Sequence, residues 1–171
     1  MVLHRNTFLN LSSELTGYSP IELEGTGLVD LYFDLVCKDL GNDVPGILFT
    51  TAEKVLKLTG EARAHAMSVE ITASTLLWPV CQSLVTLWYM GQWTRMSAFW
   101  YQYVAGFPAP PSSPVPNIAP GGTFVPSADA YTEQLSYRAA GAHPPGAHPT
   151  GFGGWGLVPV FGDFITDKKK S

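Results

Sequence analysis

His143 and His148, five residues apart in the run HPPGAHP, have the spacing in this chain closest to that of metal ligands. A Pro-Gly loop could bring both imidazoles to one ion. A zinc site needs at least a third protein ligand, however, and none stands nearby at a suitable spacing. Cysteine chemistry is limited in the same way. Cys37 and Cys81 allow at most one disulfide and no metal framework, and neither belongs to a C-x-x-C pair. Each falls in a helical apolar pattern, where a free cysteine acts as a small apolar residue. Nucleophile signatures such as G-x-S-x-G and H-E-x-x-H are missing from the sequence. Gly25-Thr26-Gly27 and Gly151 to Gly156 are glycine-rich. Neither fits a G-x-G-x-x-G phosphate turn after a strand, and neither carries a P-loop lysine. Asp30 and Asp34 stand at four-residue steps with Lys38, the order of a solvated helix face rather than of paired catalytic carboxylates. His65 reads as an ordinary boundary residue of a helix, and His4 lies in an end expected to fray. The residues therefore predict no catalytic group, no cofactor-binding residue and no metal site in this chain.

What remains is chemistry by contact. Of 171 residues, 46% are hydrophobic and only 14% charged, while Trp, Tyr and Phe make up 12%. Globular domains average about 25% charged residues, so much of this surface must be neutral or apolar, as at a partner interface. Net charge is −4, and the one basic run is Lys168 to Lys170 at the C-terminus. A nucleic-acid reader needs a basic face to neutralise phosphates, so that class is excluded. The opening MVLHRN leads straight into a helical pattern, without the apolar core and cleavage site of a secretory leader.

The elements that must present these residues read as helices. Thr7 to Leu15 is predicted as a short helix with Phe8, Leu11 and Leu15 on one side and Gly17 as its stop. Ser19 reads as an N-cap with Pro20 in the first turn. The helix it starts, irregular at Gly25 and Gly27, carries an apolar stripe of Leu28, Leu31, Tyr32, Leu35 and Val36 and closes at Gly41. A third helix spans Ile47 to Leu58, with Leu48, Ala52, Val55 and Leu58 inward and Glu53 paired with Lys57. Glu61 to Gly91 is expected to be the central helix, kinked or broken at Pro79. One face is Val69, Ala73, Leu76, Val80, Leu84, Leu87 and Trp88; a second is Ile71, Trp78, Cys81, Val85 and Tyr89. Ile71 to Thr94 is uncharged and long enough to weigh as a membrane span, but Thr72, Ser74, Thr75, Gln82, Ser83 and Thr86 interrupt it, and Pro79 sits in the middle. Thr94 to Gly106 continues as helix. Seven prolines between Phe107 and Pro126 preclude regular structure and suggest an ordered arm lying on a surface. Ser127 to Ala140 is a last helix, and Gly141 to Asp163 is irregular and rich in Gly, Pro and aromatic anchors. The expected fold is all-α. It comprises a helical bundle over 1–106, a Pro-rich extended arm over 107–126 and a last helix plus irregular segment over 127–171, in a single domain.

Several motifs in order carry a resemblance. FLNLSSELTG (Phe8 to Gly17), Trp88-Tyr89-x-Gly91, Ser136-Tyr137, Pro144-Pro145-Gly146, and Gly151-Phe152 with Trp155 and Pro159 resemble the motif series of the small, non-catalytic subunits of bacterial FAD-dependent sorbitol, fructose and glucose dehydrogenases. The similarity runs over about residues 8 to 159. Arg138 stands where the family often has a cysteine, and Gly153 and Gly154 separate an aromatic pair usually adjacent. The arm is also longer, and the twin-arginine leader of the family is missing. The resemblance implies a periplasmic helical subunit, membrane-associated through its complex, or a cytoplasmic one if there is no leader. It would hold no cofactor itself. Its partner would be a large FAD-binding catalytic subunit, which often passes electrons to a cytochrome subunit. Trp88, Tyr89, Tyr137, Phe152 and Trp155 would meet that partner, with the arm and the C-terminal aromatics docking onto it. Three alternatives remain: a membrane-associated helical protein, an interaction protein without an enzyme partner, and a small stand-alone enzyme.

Overall fold

The computed structural model describes residues 2–41, 43–106 and 118–142. Among them the fold is all-α, with eight α-helices and one two-strand ribbon. The hub is α1 (Val2–Thr16), which packs against each of the helices named below as α2, α3, α4 and α6. It begins earlier than expected and takes His4 out of any frayed end, placing its imidazole 5.6 Å from the ring of Phe49. Phe8 and Leu11 are fully buried, and Phe8 meets Phe33 and Phe49 edge to face. Gly17, at φ 78°, ends the helix.

The segment read as one helix from Ser19 is two. α2 (Pro20–Glu24) opens with a complete capping box, in which Ser19 Oγ accepts from the Glu22 N–H and Glu22 accepts from the Ser19 N–H. A turn over Gly25–Gly27 then separates it from α3 (Val29–Leu40). Tyr32, Leu35 and Val36 are buried as expected, while Leu31 lies at the edge of the face and is exposed. Lys38 meets Asp34 at 3.9 Å, but Asp30 is held by Arg5 of α1, which also reaches Glu24. In α4 (Val44–Leu56), Leu48, Ala52 and Val55 face the core. Leu58 lies past the helix end and is exposed, contrary to expectation. The last carbonyls of α4 would lack partners there. Arg63 supplies donors, from Nε to the Leu58 carbonyl at 2.7 Å and from Nη2 to that of Leu56 at 3.0 Å.

The expected long central helix is broken into α5 (Gly60–Ala66), a π-helical turn (Met67–Thr72) and α6 (Trp78–Met90). Pro79 sits in the first turn of α6, where no N–H is required. The break uncouples the two predicted faces. Val69 is 56% exposed and Ile71 is buried instead, because the wider π turn changes which side chain points inward. Beyond the break, Val80, Cys81, Leu84, Leu87 and Trp88 are all fully buried. Gly91 ends α6 at φ 62°, and a Cβ there would lie 2.1 Å from the Ala130 carbonyl oxygen, so only glycine fits.

Thr94 does not start a helix. Trp93 and Thr94 form β1, antiparallel to β2 (Thr123–Phe124), with Trp93 opposite Phe124. Helix resumes at residue 98 and is π-helical over Trp100–Ala105. The described part of the arm, residues 118–126, thus lies on this chain's own body, and residues 107–117 fall outside the described set. The last helix is also two, α7 (Ala128–Thr132), capped by Ser127, and α8 (Leu135–Ala139), which packs on α6. Ala130 and Leu135 enter the same core as residues 8–101. No helix among the described residues is long and apolar enough to cross a membrane.

Candidate functional site

The strongest polar constellation is one that sequence reasoning missed. Asp39 is fully buried near the end of α3, and Arg95 is 3% exposed just after β1. Arg95 Nε donates to Asp39 Oδ1 at 2.6 Å, and Trp93 Nε1 donates to Oδ2 at 2.7 Å. The Tyr101 hydroxyl donates to the Asp39 main-chain carbonyl at 2.8 Å and lies 3.3 Å from Oδ2. Arg95 also donates through Nη1 to the Ile118 carbonyl and through its backbone N–H to that of Gly122. Burial, and then the charge of Asp39, push the Tyr101 phenol upward from its ordinary value. Both carboxylate oxygens are engaged, so the arrangement is suited to locking three segments together, not to proton transfer. A signal for it was present. Asp39 follows Tyr32, Leu35 and Val36 at helical spacing on the inward face, where a carboxylate needs a partner.

Three of the residues expected to meet a partner, Trp88, Tyr89 and Tyr137, lie among the described residues. Trp88 is fully buried and its ring stands 4.8 Å from that of Tyr32, so its place is in this chain's core rather than at a contact surface. Tyr89 is half-buried. Its hydroxyl donates to the Thr16 carbonyl at 2.8 Å, tying α6 to the end of α1. Tyr137 is half-buried beside Tyr131, with ring centres 6.0 Å apart. Phe152 and Trp155 lie outside the described residues, as do His143 and His148. Arg138 pairs with Glu133 at 3.2 Å.

The described surface has hollows, of which two bear on function. A groove of about 650 Å³ runs between α6 and the 94–104 segment, lined by Pro79, Ser83, Met96, Phe99, Trp100 and Val104 among others. At its edge Phe99 is 66% exposed and Tyr103 68%, with their rings 5.0 Å apart. The buried indole N–H of Trp100 has no acceptor among the described residues. The smaller hollow, about 320 Å³, gathers His4, Asp34, Cys37 and Phe49. Burial, then the charge of Asp34, push the Cys37 thiol up to about 11, so it is protonated and unreactive at neutral pH. Cys81, wholly in the core, is pushed up by burial to about 12. Both thiols are free. Among the described residues no three His, Cys, Asp or Glu side chains are grouped to hold a metal. Comparison with known proteins returns no matching family model, no matching curated protein and no matching solved structure.

Proposed function

We propose that this chain is a non-catalytic subunit that binds a large FAD-dependent sugar or alcohol dehydrogenase subunit and assists its folding, flavin loading or export. The observation that carries the reading is the ordered series of motifs between residues 8 and 159. Two of them, remote in sequence, meet in space: Tyr89 of the Trp88-Tyr89-x-Gly91 motif donates to Thr16 of the FLNLSSELTG motif. Motif residues that build one joint belong to a shared scaffold, which supports the resemblance more than scattered matches would. The exposed Phe99–Tyr103 pair and the low charge add apolar surface of the kind a partner covers. Flavin and substrate would reside in the large subunit, and the complex would work in the periplasm.

Co-expression with the product of the neighbouring reading frame tests this. The two chains should co-purify, and flavin occupancy and sugar oxidation by the large chain should fall when this chain is omitted. Separate elution with unchanged flavin content, or turnover by this chain alone, would overturn the proposal.

A further inference from the structure

Between Glu70 and Asp129 the sequence has a single charged residue, Arg95, and no histidine. Arg95 is buried and paired with Asp39, so this stretch adds no charge to the surface. The groove beside α6 lies wholly within it, since its lining runs from Thr75 to Val104. Such a face neither attracts nor repels by charge. An anionic membrane or a nucleic acid calls for Lys or Arg there. An uncharged lipid surface would strand the polar groups of Gln82 and Thr86 without partners. A second copy of the face meets every condition. It is equally uncharged, and its amide and hydroxyl groups donate and accept alike, so they can pair with their own kind. The shape is also self-complementary. A two-fold contact needs a projection and its recess on the same patch, and the mostly exposed Phe99–Tyr103 ring pair stands at the rim of the groove. Aromatic enrichment with depletion of charge is the composition found at the centre of protein interfaces.

We propose that this face is a two-fold interface between copies of the chain, in which the Phe99–Tyr103 pair of each copy enters the groove of the other beside Gln82 and Thr86. The net charge of −4 opposes association elsewhere and leaves the uncharged face as the place where copies meet. The pairing does not depend on the dehydrogenase reading. Within that reading, the subunit would enter its complex as a pair.

The test is the solution state of the full chain, followed by sedimentation over a concentration series. A monomer–dimer equilibrium should appear and stop at the dimer, because a two-fold contact uses up its own surface. Phe99→Glu puts a carboxylate into each half of the contact and should weaken the dimer about a hundredfold. Circular dichroism should not change, since the side chain is exposed. Mixing that variant with Gln82→Lys should restore pairing between unlike chains. In a mixture of light and isotope-labelled parent chains, a photo-crosslinking side chain at Tyr103 should reach residues 79–86 of the other isotopic form. A chain that stays monomeric up to about 1 mM, a dimer indifferent to Phe99→Glu, variants that stay apart when mixed, or association that continues past the dimer overturns the proposal. So does a Tyr103 crosslinker that reaches only its own chain, phosphatidylcholine vesicles or the large subunit, each of which identifies a different occupant.

Discussion

Asp39 brings together Arg95, Trp93 and Tyr101 from one stretch some sixty residues away. Breaking a buried pair by deleting one member leaves the other charge stranded, so Asp39→Ala should destabilise the chain by about 3–5 kcal/mol. Replacing both members, as Asp39→Leu with Arg95→Met, should recover much of that loss. Urea unfolding of the three proteins checks both statements, and equal stability of all three would show that the pair is solvated. The cysteines give a second expectation. With thiols raised to about 11 and about 12, Cys37 and Cys81 hold almost no thiolate at pH 8. Alkylation of the native chain should therefore run on the order of a hundredfold slower than for a free cysteine, with Cys37 ahead of Cys81 because only Cys81 is fully enclosed. Mass spectrometry of timed samples reads the order. That both cysteines would behave as small apolar groups was legible from their helical spacing. The partners of Asp39 were not, because a charge on an apolar stripe announces a need without saying what meets it.

Elements governed by near neighbours were readable. The Ser19 cap with Pro20 after it, the Glu53–Lys57 pair and the Gly17 stop all depend on residues within one turn, and each stands where it was expected. Elements governed by remote partners were not. β1 is two residues long, too short for any alternation to show. Thr94 pairs with Thr123 rather than starting a helix because the chain returns to it from beyond the prolines. The division at residues 73–77 was foreseeable from Pro79, but the π turn before it, which exposes Val69 and buries Ile71, has no sequence signature known to us. Within α6 the inward face is firm. Leu84 is fully buried, so Leu84→Asp should place an unpaired carboxylate in the core and cost roughly 3 kcal/mol or more. A thermal melt matching the parent would show that α6 can turn that face outward.

For the molecule as a whole, the balance of apolar surface and charge sets behaviour in solution. With Phe99, Tyr103, Val69 and Met90 at least half exposed and few charges to repel neighbours, the isolated chain should self-associate at high concentration. Sedimentation over a concentration series checks this, and a monodisperse monomer throughout would count against a missing partner. Global stability should also fall in alkali. Tyr32 and Tyr101 are raised above the ordinary value of 10.0, chiefly by burial. Below pH 10 their hydroxyls are protonated whether folded or not. Above it the unfolded chain ionises first, so stability is lost as pH rises, and tyrosinate absorbance should show a late step that coincides with loss of helix. The lock around Asp39 also has a consequence for the order in which the protein is made. The helices from α1 to α4 leave the ribosome as a set whose contacts are mostly among themselves, yet α3 then presents a carboxylate inward with nothing to receive it. Until Trp93, Arg95 and Tyr101 have been translated, that face cannot close without burying a bare charge. A nascent chain stalled before residue 93 should stay loosely folded, and synthesis of the next ten residues or so, more than completion of any helix, would trigger final closure.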